Sequence, residues 1–124
     1  DADVLCHAVM DALLGATADG DIGRHFPDTE ARWKDARSLE LLRTVAQRLR
    51  ARQWTVVNVD CTVMAEAPRL APHIEAMRAN MAEALGIAVE RVSVKATTLE
   101  GMGALGRREG IAVLAVATVS GAAA

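Results

Sequence analysis

Apolar and polar positions follow two periods along the chain, one typical of helices and the other of strands. Apolar residues recur every three or four positions in three segments, which predict helices over residues 3–17, 38–50 and 72–85. Segments rich in β-branched residues predict strands over residues 54–65 and 92–96. In the first strand apolar and polar residues alternate from Val57 to Val63, so we expect Val57, Val59, Cys61 and Val63 to share the drier face. A last run, IAVLAVATV at 111–119, is apolar on both faces, so we expect an interior strand or one covered by a partner subunit. This order predicts an α/β or α+β fold, with helices packed on one face of a small, mainly β-sheet.

The composition narrows the class of protein. A chain of 124 residues predicts a single domain, 1–124, and its 2% aromatic content means that Ala, Val, Leu and Met must fill the core. This scarcity favours an oligomer whose sheets face each other. A net charge of -2 with scattered basic residues argues against nucleic-acid binding. No run of about 18 apolar residues predicts a membrane span, and two isolated cysteines favour a reducing compartment.

The first predicted helix carries acid and imidazole side chains on one stripe. Asp3, His7 and Asp11 are spaced four residues apart, so they share a face. A lone histidine is more often a structural hydrogen-bonding partner of a nearby carboxylate. The flanking carboxylates favour a metal site, because such groups orient a ligating imidazole, although one histidine cannot hold zinc alone. A nucleophilic pair of Cys6 and His7 is disfavoured, because adjacent residues on a helix point in different directions. Cys6 is therefore predicted to be a small core residue.

The segment Thr97–Gly110 holds four of the nine glycines. Residues 101–106 match G-x-G-x-x-G, but no helix follows and the match does not directly follow a strand, so it is not a dinucleotide fingerprint. Its free amides and two threonines could cradle a phosphate, and Glu100 could hold a hard cation such as magnesium. An ordinary flexible loop is the alternative. For Asp21 and Asp28, the alternatives are Asx-turns and hydrogen bonds to sugar hydroxyls.

Five motifs occur in one order and together resemble a known family. They are D-x-D-V-x-x-H-A-x-x-D-A-L-L-G-A at 1–16, G-D-I-G-x-x-F-P-D-T at 20–29, A-x-A-P-x-L at 65–70, V-K-A-T-T-x-E at 94–100 and G-R-x-E-G-I at 106–111. The chain is similar over its whole length to the 2-C-methyl-D-erythritol 2,4-cyclodiphosphate synthase family of the non-mevalonate isoprenoid pathway.

The resemblance implies an activity and an assembly. The substrate would be 4-diphosphocytidyl-2-C-methyl-D-erythritol 2-phosphate, a cytidine diphosphate-linked small molecule, cyclised with release of CMP. The resemblance further implies a homotrimer with three active sites between neighbouring subunits, a Zn2+ ion and a Mg2+ or Mn2+ ion as cofactors, and a cytoplasmic (bacterial) or plastid location.

The resemblance also implies roles for individual residues. His7 would be a zinc ligand, and Glu100 would contact the magnesium or manganese ion and the substrate. Thr97 and Thr98 would bind phosphate, with Thr98 stabilising the transition state. Arg107 would face the trimer axis. The remaining substrate-binding residues would hold the ribose (Asp21, Ile22, Gly23), the methylerythritol (Phe26, Asp28) and the cytosine (Ala65, Pro68, Arg69, Leu70, Ala71).

The chain departs from the family pattern at two places. Two further zinc ligands, expected from an Asp-x-His motif on an N-terminal strand, are not in these residues. Either an N-terminal segment lies outside the chain, or the chain does not bind zinc properly. Gly101, Ala104 and Arg108 stand where the family usually has lysine, an aromatic residue and glycine. These changes are the only sequence support for an alternative function, a non-catalytic trimer that binds a nucleotide or an isoprenoid diphosphate.

Overall fold

The structure is a computed structural model, and it describes residues 2–27, 37–66 and 69–121. Its helices are α1 (Ala2–Ala16), α2 (Ile22–His25), α3 (Ser38–Ala51), α4 (Ile74–Leu85) and α5 (Gly103–Gly106). Its strands are β1 (Trp54–Met64), β2 (Val92–Thr97) and β3 (Ala112–Gly121). Short 3-10 turns precede α4 and β2, at Ala71–His73 and Val89–Arg91. The predicted helices and strands are confirmed.

The three strands form one sheet in the order β2-β1-β3. β1 pairs in parallel with β2 and antiparallel with β3. Because parallel strands run in the same direction, the carboxyl ends of β1 and β2 lie side by side at one end of the sheet. The loops that follow these two strands therefore leave the sheet together.

A layer of three helices covers one face of the sheet. α1 packs on β3, α3 lies beside α1 and contacts β1, and α4 lies beside α3 and contacts β2. The buried core is aliphatic, as the composition predicts, with fully buried leucines such as Leu13, Leu14 and Leu42. This confirms an α+β fold with helices packed on one face of a small sheet. Within the described residues, no helix combines the length and apolar character needed to span a membrane.

The prediction that β3 is an interior strand is wrong for the single chain. Within the described residues β3 is an edge strand, paired on one side only. Val113 and Val119 face the core, whereas Leu114 and Val116 are 66% and 68% exposed on the face opposite the helices. The alternative, cover by a partner subunit, stays a prediction.

The alternation expected along β1 shifts at one position. Val59, Cys61 and Val63 are buried as expected, but the pairing with β3 shifts register between Val56 and Asn58. Because a bulge inserts one extra residue, Val56 takes the buried place expected for Val57. In α1, Val4 is an exception among the apolar residues, because it is 39% exposed.

Candidate functional site

A pocket lies at the end of the sheet where β1 and β2 finish. Its volume is about 150 Å³. It is lined by Ala65, Glu66, Arg69, Leu70, Ala71, Ala96, Thr97 and Thr98. The structure thus brings together residues predicted from two segments about thirty positions apart in the sequence. Pro68, predicted for the same pocket, lies outside the described residues.

Backbone pairing between the strands continues into the pocket. The amide of Ala65 donates to the carbonyl oxygen of Thr97 at 3.1 Å. Directly after it, Glu66 Oε1 accepts from the amides of Leu99 and Gly101 at 2.8 and 3.2 Å. The sequence interpretation assigned no role to Glu66. The available signal was its place directly after the predicted strand over residues 54–65.

The loop that follows β2 is ordered by local contacts. Thr98 Oγ1 accepts from the amide of Glu100 at 3.3 Å. Glu100 has a positive φ of 53°, an uncommon conformation for a residue other than glycine. A Cβ on Gly106 would lie 2.2 Å from the carbonyl carbon of Gly101, so only glycine fits there. The turn of α5 leads into β3 rather than into a long helix, which confirms that this is not a dinucleotide-binding turn.

A second group of predicted residues lies on α1 and the loop after it. Asp3, His7 and Asp11 are all exposed on α1, as their spacing predicts. Asp11 Oδ1 accepts from the amide of Ile22 at 3.2 Å and so ties the helix to the loop. Asp21 caps α2, because its Oδ1 accepts from the amide of Arg24 at 3.0 Å.

The same loop is held by a cluster of charges around Asp19. Arg48 Nη2 donates to Asp19 Oδ1 at 3.0 Å, and Arg52 Nη1 lies 3.0 Å from Oδ2. His25 Nε2 lies 2.7 Å from the Asp19 carbonyl oxygen. The hydrogen bonds from Arg48, followed by the charges of both arginines and of His25, outweigh desolvation and lower the pKa of Asp19 to about 2. This cluster anchors the start of the predicted ribose loop, residues 21–23, to α3.

The remaining predicted residues occupy separate places. Phe26 is half-buried and packs against the core. Arg107 is exposed and forms an ion pair with Glu109. Gly23 lies within α2, and no residue of α2 lines the pocket. Asp28 lies outside the described residues.

The described residues do not by themselves fit a zinc ion. No group of three or more His, Cys, Asp or Glu side chains in this part of the chain is arranged to hold a metal, and catalytic zinc usually takes three protein ligands. Cys6 is only 2% exposed, and burial, with a smaller effect of the Asp3 charge, raises the pKa of its thiol to about 11. The thiol therefore stays protonated and, as predicted, Cys6 is a core residue.

Comparisons with known proteins agree with the motif resemblance. The YgbB family model matches residues 1–120. A relative from Thioalkalivibrio sulfidiphilus (strain HL-EbGR7), named 2-C-methyl-D-erythritol 2,4-cyclodiphosphate synthase, is 60% identical over 119 residues, which are 96% of this chain and 74% of that protein.

Two solved structures are similar in fold. The bifunctional IspDF from Campylobacter jejuni has a TM-score of 0.90 and 42% identity, and the match covers 95% of this chain and 32% of that one. IspF from Plasmodium falciparum, in complex with CDP, has a TM-score of 0.84 and 27% identity, with 95% of this chain and 70% of that one covered.

Proposed function

Since the chain belongs to the YgbB family, we propose that it converts 4-diphosphocytidyl-2-C-methyl-D-erythritol 2-phosphate to 2-C-methyl-D-erythritol 2,4-cyclodiphosphate. It is an enzyme of the lyase type in isoprenoid biosynthesis, like the relatives that carry the synthase name. An oxygen of the 2-phosphate forms a bond to the β-phosphorus of the same molecule. The bond from that phosphorus to the bridging oxygen breaks, and CMP leaves with the bridging oxygen.

The observation that carries this proposal is the pocket where β1 and β2 end. Its volume of about 150 Å³ is below the roughly 300–1,000 Å³ of pockets that enclose a whole ligand. We therefore assign it one part of the substrate, the cytosine, held by the segment 65–71. The adjoining Thr97 and Thr98 would bind the phosphates. The Thr98 hydroxyl accepts from the Glu100 amide and so keeps its proton to donate, whereas the Thr97 hydroxyl donates to the Thr98 carbonyl oxygen at 3.3 Å and would exchange that partner for a phosphate oxygen.

The chemistry requires little beyond positioning and charge neutralisation. Phosphoryl transfer within one molecule is accelerated mainly by holding the attacking oxygen in line and by donors to the charged oxygens. Thr98 supplies a hydroxyl donor, and Arg69 supplies a positive charge at the pocket rim. Residues 21–23, at the start of α2, would hold the ribose, and Phe26 with Asp28 the methylerythritol.

A complete site requires two subunits in this proposal. The α1 and α2 residues do not line the pocket of their own chain, so each would complete the pocket of a neighbour. The exposed apolar side chains of β3, Leu114 and Val116, support a homotrimer in which this face of each sheet turns towards the axis. Arg107 would then face that axis.

The proposal includes the two metal ions that the family resemblance implies, zinc and magnesium or manganese. His7, exposed on α1, would supply one zinc ligand, and the other ligands would come from residues beyond those described. Glu100, exposed beside Thr98, would hold magnesium or manganese. Such ions would neutralise phosphate charge when bound. The location in a bacterial cytoplasm or a plastid stays a prediction.

A turnover assay with Thr98 variants tests this function. The full-length protein is incubated with the substrate, and CMP and the cyclic product are followed by chromatography and phosphorus NMR. If Thr98 stabilises the transition state, Thr98→Ala should lower kcat by about 100-fold, as loss of one such donor does elsewhere. Thr98→Ser keeps the hydroxyl and should retain most of the activity.

The outcome separates this function from its alternative. CMP release by the unmodified protein, lost in Thr98→Ala, supports the proposal. CDP binding in calorimetry without any CMP release would instead support a non-catalytic nucleotide-binding trimer. A protein that releases no CMP and binds neither CDP nor an isoprenoid diphosphate would contradict both.

A further inference from the structure

We propose that Glu66 is a positioning residue that fastens the phosphate loop to the base loop across the pocket. The phosphate loop is defined here as residues 97–101 and the base loop as residues 65–71. This inference rests on the proposed function, because it assigns Glu66 a part in that reaction.

The geometry gives Glu66 two backbone partners on the opposite loop. A single oxygen, Oε1, accepts from both the Leu99 amide at 2.8 Å and the Gly101 amide at 3.2 Å. Strand pairing between the two segments extends no further than Ala65 and Thr97. The Glu66 carboxylate therefore continues the connection where the strand hydrogen bonds stop.

The side chains proposed for the chemistry lie inside the fastened segment. Glu100 is flanked by the two amide donors, and Thr98 directly precedes the first of them. Since the Thr98 hydroxyl also accepts from the Glu100 amide, the two side chains are held by the same turn. Release of the turn would let both side chains move away from the phosphates. Leu70 in the base loop would keep its own contact, because its carbonyl oxygen accepts from the His73 amide at 2.8 Å.

The proposed role of Glu66 requires a side-chain oxygen that accepts hydrogen bonds, and it does not require a negative charge. An amide oxygen also accepts two hydrogen bonds, so Glu66→Gln should keep the connection and Glu66→Ala should lose it. Loss of hydrogen bonds to a charged acceptor changes an equilibrium by about tenfold or more. We therefore expect Glu66→Ala to lower kcat about tenfold, with KM changed less, and Glu66→Gln to stay within about threefold of the unmodified protein.

The test combines this turnover measurement with amide hydrogen exchange. In Glu66→Ala, exchange at Leu99 and Gly101 should be about tenfold faster than in the unmodified protein, and in Glu66→Gln it should be nearly unchanged. Glu83→Ala is the matched control, because Glu83 is exposed on α4 and pairs with Arg43, remote from the pocket lining. It should leave both measurements unchanged.

Exchange distinguishes failure of this inference from failure of the proposed function. If the unmodified protein releases no CMP, the exchange rates still decide whether Glu66 orders the loop. Unchanged exchange in Glu66→Ala would overturn the inference. So would a loss of kcat in Glu66→Gln as large as that in Glu66→Ala, because the charge would then be what matters.

Discussion

At the scale of single residues, Asp19 is the most heavily paired carboxylate in the described part of the chain. Its partners, Arg48 and Arg52, belong to α3 and the residue after it, so the contact joins the loop after α1 to a different helix. Asp19 is itself only 13% exposed, whereas both arginines remain nearly half exposed. The stabilisation should therefore exceed that of an ordinary surface ion pair but stay modest.

Asp19→Asn should lower the free energy of unfolding by about 1 kcal/mol at pH 7. The folded-state pKa of about 2 lies below the value of about 3.9 in an unfolded chain. The stabilisation is therefore fully present above about pH 4 and is lost as the pH falls towards 2. Urea unfolding of the two proteins at pH 7 and near pH 2 measures this difference.

The control for this prediction is Glu83→Gln. It breaks one ion pair, with Arg43, whose side chains are 74% and 46% exposed, so its effect should be smaller. A difference between Asp19→Asn and the unmodified protein that does not shrink at low pH would contradict the assigned cause.

Residue roles could be predicted where they depend on local pattern. Cys6 in the core and the exposed stripe at His7 follow from helical spacing. The roles of Glu66 and Asp19 could not be predicted, because their partners are backbone amides and arginines about thirty positions away in the chain. Contacts between such distant positions leave no periodic pattern in the sequence.

At the scale of elements, α4 shows how a single residue ends a helix. Gly86 caps it with φ of 70° in the left-handed region, and its amide donates to the Ala82 and Glu83 carbonyl oxygens. A Cβ there would lie 3.2 Å from Arg50 Nη1. The helix end was predictable, because glycine is the usual residue at this position.

Gly86→Ala should destabilise the protein by about 1 kcal/mol, because alanine is strained at positive φ. Gly15→Ala is the matched control within α1, where a Cβ meets nothing within 4 Å. It should raise stability by up to about 0.5 kcal/mol through the unfolded chain. Thermal unfolding of both variants measures the contrast. Equal effects of the two substitutions would contradict the strain argument.

The strands were less predictable than the helices. The pattern located β1 and β3 correctly, but it did not reveal the extra residue at Val57, since a bulge depends on the partner strand. It also could not place β3 at an edge. An apolar outer face looks the same in sequence whether it is covered by the same chain or by another.

At the scale of the whole molecule, the two faces of the sheet differ. One face is covered by α1, α3 and α4. The open face is apolar along β3 and carries charges on β1 and β2, where Lys95 Nζ donates to Asp60 Oδ2 at 3.0 Å. This hydrogen bond lowers the pKa of the Asp60 carboxyl. The exposed apolar strip is the surface we expect to be buried between subunits.

Leu114→Glu should shift the protein towards monomers, because it places a charge on the strip where its side chain is now 66% exposed. Sedimentation at several concentrations measures the assembly. Ala79→Glu adds the same charge on the exposed side of α4 and should leave the assembly unchanged. If Leu114→Glu dissociates the proposed trimer, turnover should fall with it, since each site would need two chains in that assembly. A variant that assembles like the unmodified protein would contradict the proposed interface.

The strand order also has a consequence for how the chain folds. Trp54 pairs with Gly121 and Val63 with Val113, while Val59 pairs with Val92. Each pairing closes a long loop, and chains dominated by such distant pairings fold slowly. During synthesis, α1 and β1 emerge well before β3, the strand against which both are packed. The apolar faces of α1 and β1 therefore stay partly uncovered until β3 has been synthesised.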